Sequence, residues 1–180
     1  FFKQKTAYEI KECDWSSDVC SSDLKQFKGT LKRVAYKIPQ SVLVVVYTPD
    51  LQVLLMERAD RPGFWQSVTG SRDSESEPLA DTARREVCEE TGLDTSLYPI
   101  SDWQQQNQYE IFAHWRYRYA PGVTHNTEHV FGLCVPAELP IAISPREHVQ
   151  YQWLPWSEAA KKCFSSSNAA AIRALPERVV

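Results

Sequence analysis

Residues 67–93 read SVTGSRDSESEPLADTARREVCEETGL. A strand-like start ends at Gly70 and passes into a polar loop, residues 71–77, that has no apolar anchor. Pro78 suits a first helical turn, where its missing N–H goes unused, and Gly92 suits a left-handed C-terminal cap. The spacing therefore predicts a helix from Pro78 to about Glu90. At about 100° per residue, Glu86, Glu89 and Glu90 fall within roughly 100° of one another on its surface. Ala80, Ala83 and Val87 form a neighbouring stripe that faces a core. Three carboxylates on one strip repel one another, and Arg85, four residues before Glu89, cannot neutralise them all. Two explanations stay open on these residues alone: a solvated, salt-bridged surface helix, or a strip that holds a divalent cation. Carboxylate oxygens without thiolate or imidazole partners favour Mg²⁺, with Mn²⁺ possible, over zinc.

The sequence around this stretch reads as strands, helix, strands, helices. SVLVVVY (41–47) is a continuous β-branched run expected to be buried on both faces. Turn chemistry at Thr48–Asp50 leads to LQVLLMER (51–58), expected to return as a hairpin. FWQSVTG (64–70) is expected to be one short strand. Beyond the helix, residues 100–108 and YEIFAHWRYRY (109–119) are expected to be two strands joined by a tight turn at Asn107–Gln108. EHVFGLCV (128–135) and VQYQWL (149–154) follow as strands. Residues 155–164 and 168–175 have helical composition. This order favours an α+β fold, a mixed α/β/α sandwich.

Length and composition narrow the function classes. The 180 residues suit one compact domain, placed at residues 25–180. A hydrophobic content of 43% is that of a globular chain, and a net charge of -3 makes no case for bulk nucleic-acid binding. No apolar run approaches bilayer length. The five cysteines are dispersed, with no Cys-x-x-Cys pair to suggest zinc. A cytoplasmic protein with neither nucleic-acid nor membrane partner is expected. Residues 1–24 lack helix or strand periodicity and a secretory pattern; they are expected to be a non-native, adapter-like translation or a disordered tail.

The order glycine, polar loop, Pro-started helix, paired glutamates and closing Thr-Gly-Leu resembles the Nudix box, G-x5-E-x7-R-E-U-x-E-E-x-G-U, with U aliphatic. Gly70, Glu77, Arg85, Glu86, Val87, Glu89, Glu90, Gly92 and Leu93 match it, with six residues instead of five between Gly70 and Glu77. The Nudix resemblance implies the Nudix fold and metal-dependent cleavage of a nucleoside-diphosphate-type linkage. FWQSVTGS and YEIFAHWRYRYAPGVTHNTEH extend the likeness to the branch acting on dihydroneopterin triphosphate, giving the monophosphate and pyrophosphate in folate biosynthesis. The alternatives are a Nudix enzyme acting on nucleoside triphosphates such as dATP, and a non-catalytic Nudix-fold binding module.

The resemblance also implies residue roles. Glu86, Glu90 and Glu147 are expected as metal ligands, and Glu147 as general base. Glu89 is expected as a further ligand or supporting carboxylate, and Arg85 as the residue that orients the carboxylates. Lys37 and Arg58 are expected to meet the triphosphate, and Thr69 to contact it. Tyr109, Glu110, Ile111 and Phe112 are expected to line the pterin side, and Ser165 to make a last substrate contact. Lys37, Arg58, Tyr109, Phe112 and Glu147 have structural explanations too, as edge charges, core or loop. The histidines at 114, 125, 129 and 148 lack helical ligand spacing, and none is assigned to metal. Oligomeric state is left open.

Overall fold

A computed structural model describes residues 36–179; the expectation for residues 1–24 lies outside that range. The described chain has seven strands: β1 (Gln40–Tyr47), β2 (Gln52–Arg58), β3 (Trp65–Gln66), β4 (Val68–Ser71), β5 (Ile100–Glu110), β6 (His125–Cys134) and β7 (His148–Pro155). The helices are α1 (Leu79–Thr91), α2 (Trp156–Lys162), α3 (Ser166–Arg173) and α4 (Leu175–Arg178). β1 is fully buried from Val42 to Val46, as its unbroken apolar run requires. It pairs parallel with β6 and antiparallel with β4.

The β1–β2 hairpin forms, with Tyr47 opposite Val53. Beyond that point its strands take other partners: β4 lies beside Ser41–Val44, while β3 and β7 lie beside β2. Alternate residues of β1 then feed two cores. On one face Val42, Val44 and Val46 pack with Phe131, Leu133 and the α1 residues Ala83 and Val87. On the other, Leu43 and Val45 pack with Val130 and with Ala159, Ala171, Ile172 and Leu175 of the last three helices. Burying each such valine or leucine contributes about 1.5–3 kcal/mol. The result is the α/β/α sandwich that the element order favoured.

Two expected elements differ. FWQSVTG is not one strand, because the chain changes partner at Ser67: β3 pairs with β2, and β4 pairs with β1. Asn168 fills the gap, its Oδ1 accepting from Ser67 N–H (2.8 Å) and its Nδ2 donating to Ser67 Oγ (2.9 Å). There is also no turn at Asn107–Gln108. β5 runs unbroken through both residues, in register with β6 from Gln105↔Val130 to Glu110↔His125. Its irregularity lies earlier, between Asp102 and Gln105, where Gln104 has φ 54°. Residues Ala113–Arg118 are a 3₁₀ turn in place of a second strand. The aromatic alternation that imitates a strand there instead stacks locally, with Phe112 against His114 (5.8 Å) and Trp115 (5.6 Å).

Candidate active site

The helix α1 follows the predicted span closely, with Pro78 as N-cap and Gly92 as C-cap at φ 69°. Thr82, Ala83, Val87, Glu90 and Thr91 are its buried residues, so one glutamate of the acidic strip turns inward. Gly70 on β4 is what lets Glu86 lie against the sheet. A Cβ built at position 70 would stand 1.7 Å from the Glu86 Cδ. No side chain larger than hydrogen fits beneath that carboxylate.

Arg85 gathers the surrounding acceptors. Its Nε donates to Glu77 Oε1 (3.0 Å), Nη1 to Glu86 Oε1 (2.9 Å) and Glu89 Oε2 (3.2 Å), and Nη2 to the Ser71 carbonyl (2.9 Å). Burial works to lower its pKa, but the Glu77 hydrogen bond and the Glu86 charge outweigh this and raise it. One planar fork thus ties loop, strand and helix together. The longer loop before Glu77 leaves that contact intact, since Glu77 and not Glu75 meets Arg85, and Glu77 Oε2 also caps the Asp73 N–H (2.7 Å).

Deeper in, Glu90 is almost fully buried and accepts a hydrogen bond from the Thr69 backbone. Burial first, then the Glu147 charge, raises its pKa well above the usual glutamate range. Glu86 is pushed up to about 8, by burial and then by Glu90, against the opposing pull of Arg85. The residues between β6 and β7 complete the cluster. Ala142 N–H donates to the Thr91 carbonyl (3.0 Å) and Ser144 N–H to the Glu90 carbonyl (3.3 Å), while Ala59 N–H donates to Glu147 O (2.8 Å). Ligand atoms of Glu90, Glu147 and His148 then lie within 4.8 Å of one another. His148 Nε2 is 3.0 Å from Glu90 Oε2, and its ring also meets the Glu57 backbone.

His148 is the residue that sequence reasoning missed. Helical spacing was the wrong test, since it sits at the start of β7; its only signal was adjacency to Glu147. Glu86 stands outside the tight group of three, with one oxygen engaged by Arg85.

Of the other expected residues, Lys37 lies with Glu86, Ser71, Tyr36, Arg72 and Asp73 around a 260 Å³ cleft, its Nζ 3.1 Å from Ser71 Oγ. Burial and then Arg118 lower its pKa. Arg58 is turned to Asp60 through two 2.8 Å bonds and to Gln66 (3.2 Å). Thr69 Oγ1 accepts from Gln66 (3.1 Å). The four residues of the run 109–112 differ in exposure and contacts. Tyr109 presents a half-exposed ring, Glu110 pairs with Arg116, Ile111 is buried core and Phe112 is exposed. Ser165 is the N-cap of α3, accepting from the Asn168 N–H (3.2 Å).

The NUDIX domain profile matches residues 37–175. The chain belongs to the Nudix family. It is 46% identical over 145 residues to dihydroneopterin triphosphate diphosphatase of Escherichia coli strain K12, an alignment covering 79% of this chain and 95% of that one. The Haemophilus influenzae protein of the same name is 43% identical over 141 residues, covering 77% and 87%. The solved E. coli dihydroneopterin triphosphate pyrophosphohydrolase superposes with a TM-score of 0.69 at 46% identity, over 77% of this chain and 94% of that one. A Nudix hydrolase structure from Listeria monocytogenes, at 23% identity, shares the fold with a TM-score of 0.67. The Nudix fold expected from the box is therefore the fold observed.

Proposed function

We propose that this Nudix enzyme hydrolyses dihydroneopterin triphosphate to dihydroneopterin monophosphate and pyrophosphate, with Mg²⁺ bound at the α1 carboxylates. The carrying observation is 46% identity, along nearly the full length of the E. coli diphosphatase, in a chain whose carboxylate cluster is intact. The donor chemistry fits a hard divalent cation. Burial and neighbouring carboxylate charges raise the pKa of both Glu86 and Glu90, and a divalent cation would relieve both by stabilising the ionised carboxylates. Glu86, Glu90 and Glu147 would hold it, and it would neutralise triphosphate charge and lower the pKa of a water.

The remaining roles belong to the chain. Arg85 fixes the Glu86 and Glu89 carboxylates from outside the cation. His148 fixes Glu90, its near-complete burial allowing little movement. Lys37, across the cleft from Glu86, meets phosphate oxygens, and Arg58 joins it on release from Asp60. Glu147, exposed at the rim, takes the proton from the attacking water. The step balances: the water oxygen bonds one phosphorus of the bridge between the monophosphate and pyrophosphate portions, the bond from that phosphorus to the bridging oxygen breaks, the bridging oxygen leaves with the other product, and the proton held by Glu147 passes to that product or to solvent. The same proposal places the reaction in the cytoplasm. Among the described residues, no helix is long and apolar enough to cross a membrane.

Purified protein with Mg²⁺ is expected to release pyrophosphate from dihydroneopterin triphosphate, and chelation is expected to stop it. Glu90→Gln should lower kcat by about a hundredfold or more with an unchanged circular dichroism spectrum. Absence of pyrophosphate would overturn the proposal. A higher kcat/KM for dATP would transfer it to nucleoside triphosphates.

A further inference from the structure

On the sheet face covered by α3, a row of polar side chains leads away from the phosphate cleft. Ser71 of β4 is directly opposite Ser41 of β1, and Ser41 is in register with Glu128 of β6. Beyond them on β5, Tyr109 faces Asn126 and Asn107 faces Glu128. Asn126 Nδ2 donates to Ser41 Oγ (2.7 Å) and to the Tyr109 hydroxyl (3.0 Å). Ser71, which touches Lys37, is two strand spacings from Glu128, about 10 Å.

Two acceptors in this row lack balancing partners. Asn126 is 2% exposed, and its Oδ1 has no partner among the described residues. Glu128 is 7% exposed. Its carboxylate accepts from Asn107 Nδ2 (3.1 Å) and from Ser167, in the first turn of α3. Both donors are neutral, so neither balances its charge, and burial raises its pKa. Ser167 in turn bonds Ser165 (2.9 Å), which places the expected substrate contact two hydrogen bonds from this carboxylate. A buried acceptor pair costs stability unless donors arrive.

We infer that Glu128, with Asn126 beside it, selects the ring of the substrate by accepting from a paired N–H edge, while the exposed Tyr109 ring offers a stacking face. The inference rests on the pterin reading of the preceding section, because a pterin presents such an edge at its ring N–H and 2-amino group. Adenine and cytosine offer an amino group without an adjacent ring N–H. Two N–H donors meeting one carboxylate give the planar, two-pronged pairing that charge-assisted hydrogen bonds favour. A structural tie of β6 to β5 and α3 alone would explain Asn107 and Ser167, but not the unpartnered Asn126 oxygen.

The test is binding without phosphate or metal, so it is independent of turnover. Dihydroneopterin and its counterpart with oxygen in place of the 2-amino group are titrated by fluorescence into wild-type and Glu128→Gln protein, with Tm measured alongside. Wild type is expected to prefer the amino compound at least tenfold, about what one charge-assisted hydrogen bond provides. Glu128→Gln is expected to erase that preference while its Tm stays at or above that of wild type. Equal wild-type affinities, or a preference kept by the variant, would overturn the inference. If Glu128→Gln does not fold, Glu128→Asp, which draws the charge back by one methylene, is judged by the same criterion. Loss of pyrophosphate release with the ring preference intact would remove the catalytic reading and leave this one standing.

Discussion

Glu86 occupies space that only a glycine at position 70 leaves open, so a single hydrogen atom on β4 decides where a carboxylate of α1 lies. Gly70→Ala should push Glu86 off the sheet and loosen its contact with Arg85. Inserting a methyl into packed structure costs about 1–3 kcal/mol. We expect a fall in denaturation midpoint together with a larger fall in kcat/KM; full activity would show that Glu86 tolerates displacement. At this scale the strip Glu86, Glu89, Glu90 was legible, because helical angle is a local property. Its division was not: Glu90 turns inward to His148, while half of Glu89 stays in solvent. That division follows from what packs against each side of α1, which a helical wheel does not contain.

Among the elements, the β3–β4 join carries the most consequence. The strand switches from β2 to β1 at Ser67, and Asn168, 101 residues later, satisfies the backbone group the switch leaves over. Asn168→Ala would leave a buried Ser67 N–H without an acceptor, at a cost of about 1–3 kcal/mol. For a chain of this size that lowers Tm by roughly 2–4 °C per kcal/mol. Because β4 carries Thr69, Gly70 and Ser71, KM should rise as well. An unchanged melting curve would show that Asn168 does not hold the switch. Continuous apolar runs such as 41–47 and the capped helix were readable, since burial and capping leave local marks. The partner switch and the 3₁₀ turn at 113–118 were not. Alternating aromatic and polar residues serve a strand or a stacked turn equally well, and pairing with β6 decides between them.

For the whole molecule, the buried carboxylates link stability to pH. Above about pH 7.5 His148, whose pKa burial lowers from the ordinary histidine value, is almost wholly neutral in both folded and unfolded chains. Glu86 is ionised when unfolded yet still binds a proton in the fold, up to about 8. The folded state therefore holds more protons, and stability falls as pH rises through this window. Metal-free Tm is expected to drop from pH 7.5 to 8, and added Mg²⁺ to raise Tm more at pH 8, where the carboxylates are readier to bind. A Mg²⁺ effect that shrinks toward pH 8 would count against these carboxylates as ligands. Local sequence is enough for the alternation that builds two cores, the capped helix and the acidic strip, all of which arise within a few residues of one another. It takes the packed fold to close Glu147 and His148 on Glu90, to bring Asn168 to Ser67, and to put Asn126 and Glu128 on one face with Tyr109. Those arrangements depend on strand register and on loops docking across the sheet, and contacts between residues far apart in the chain leave no local spacing to read.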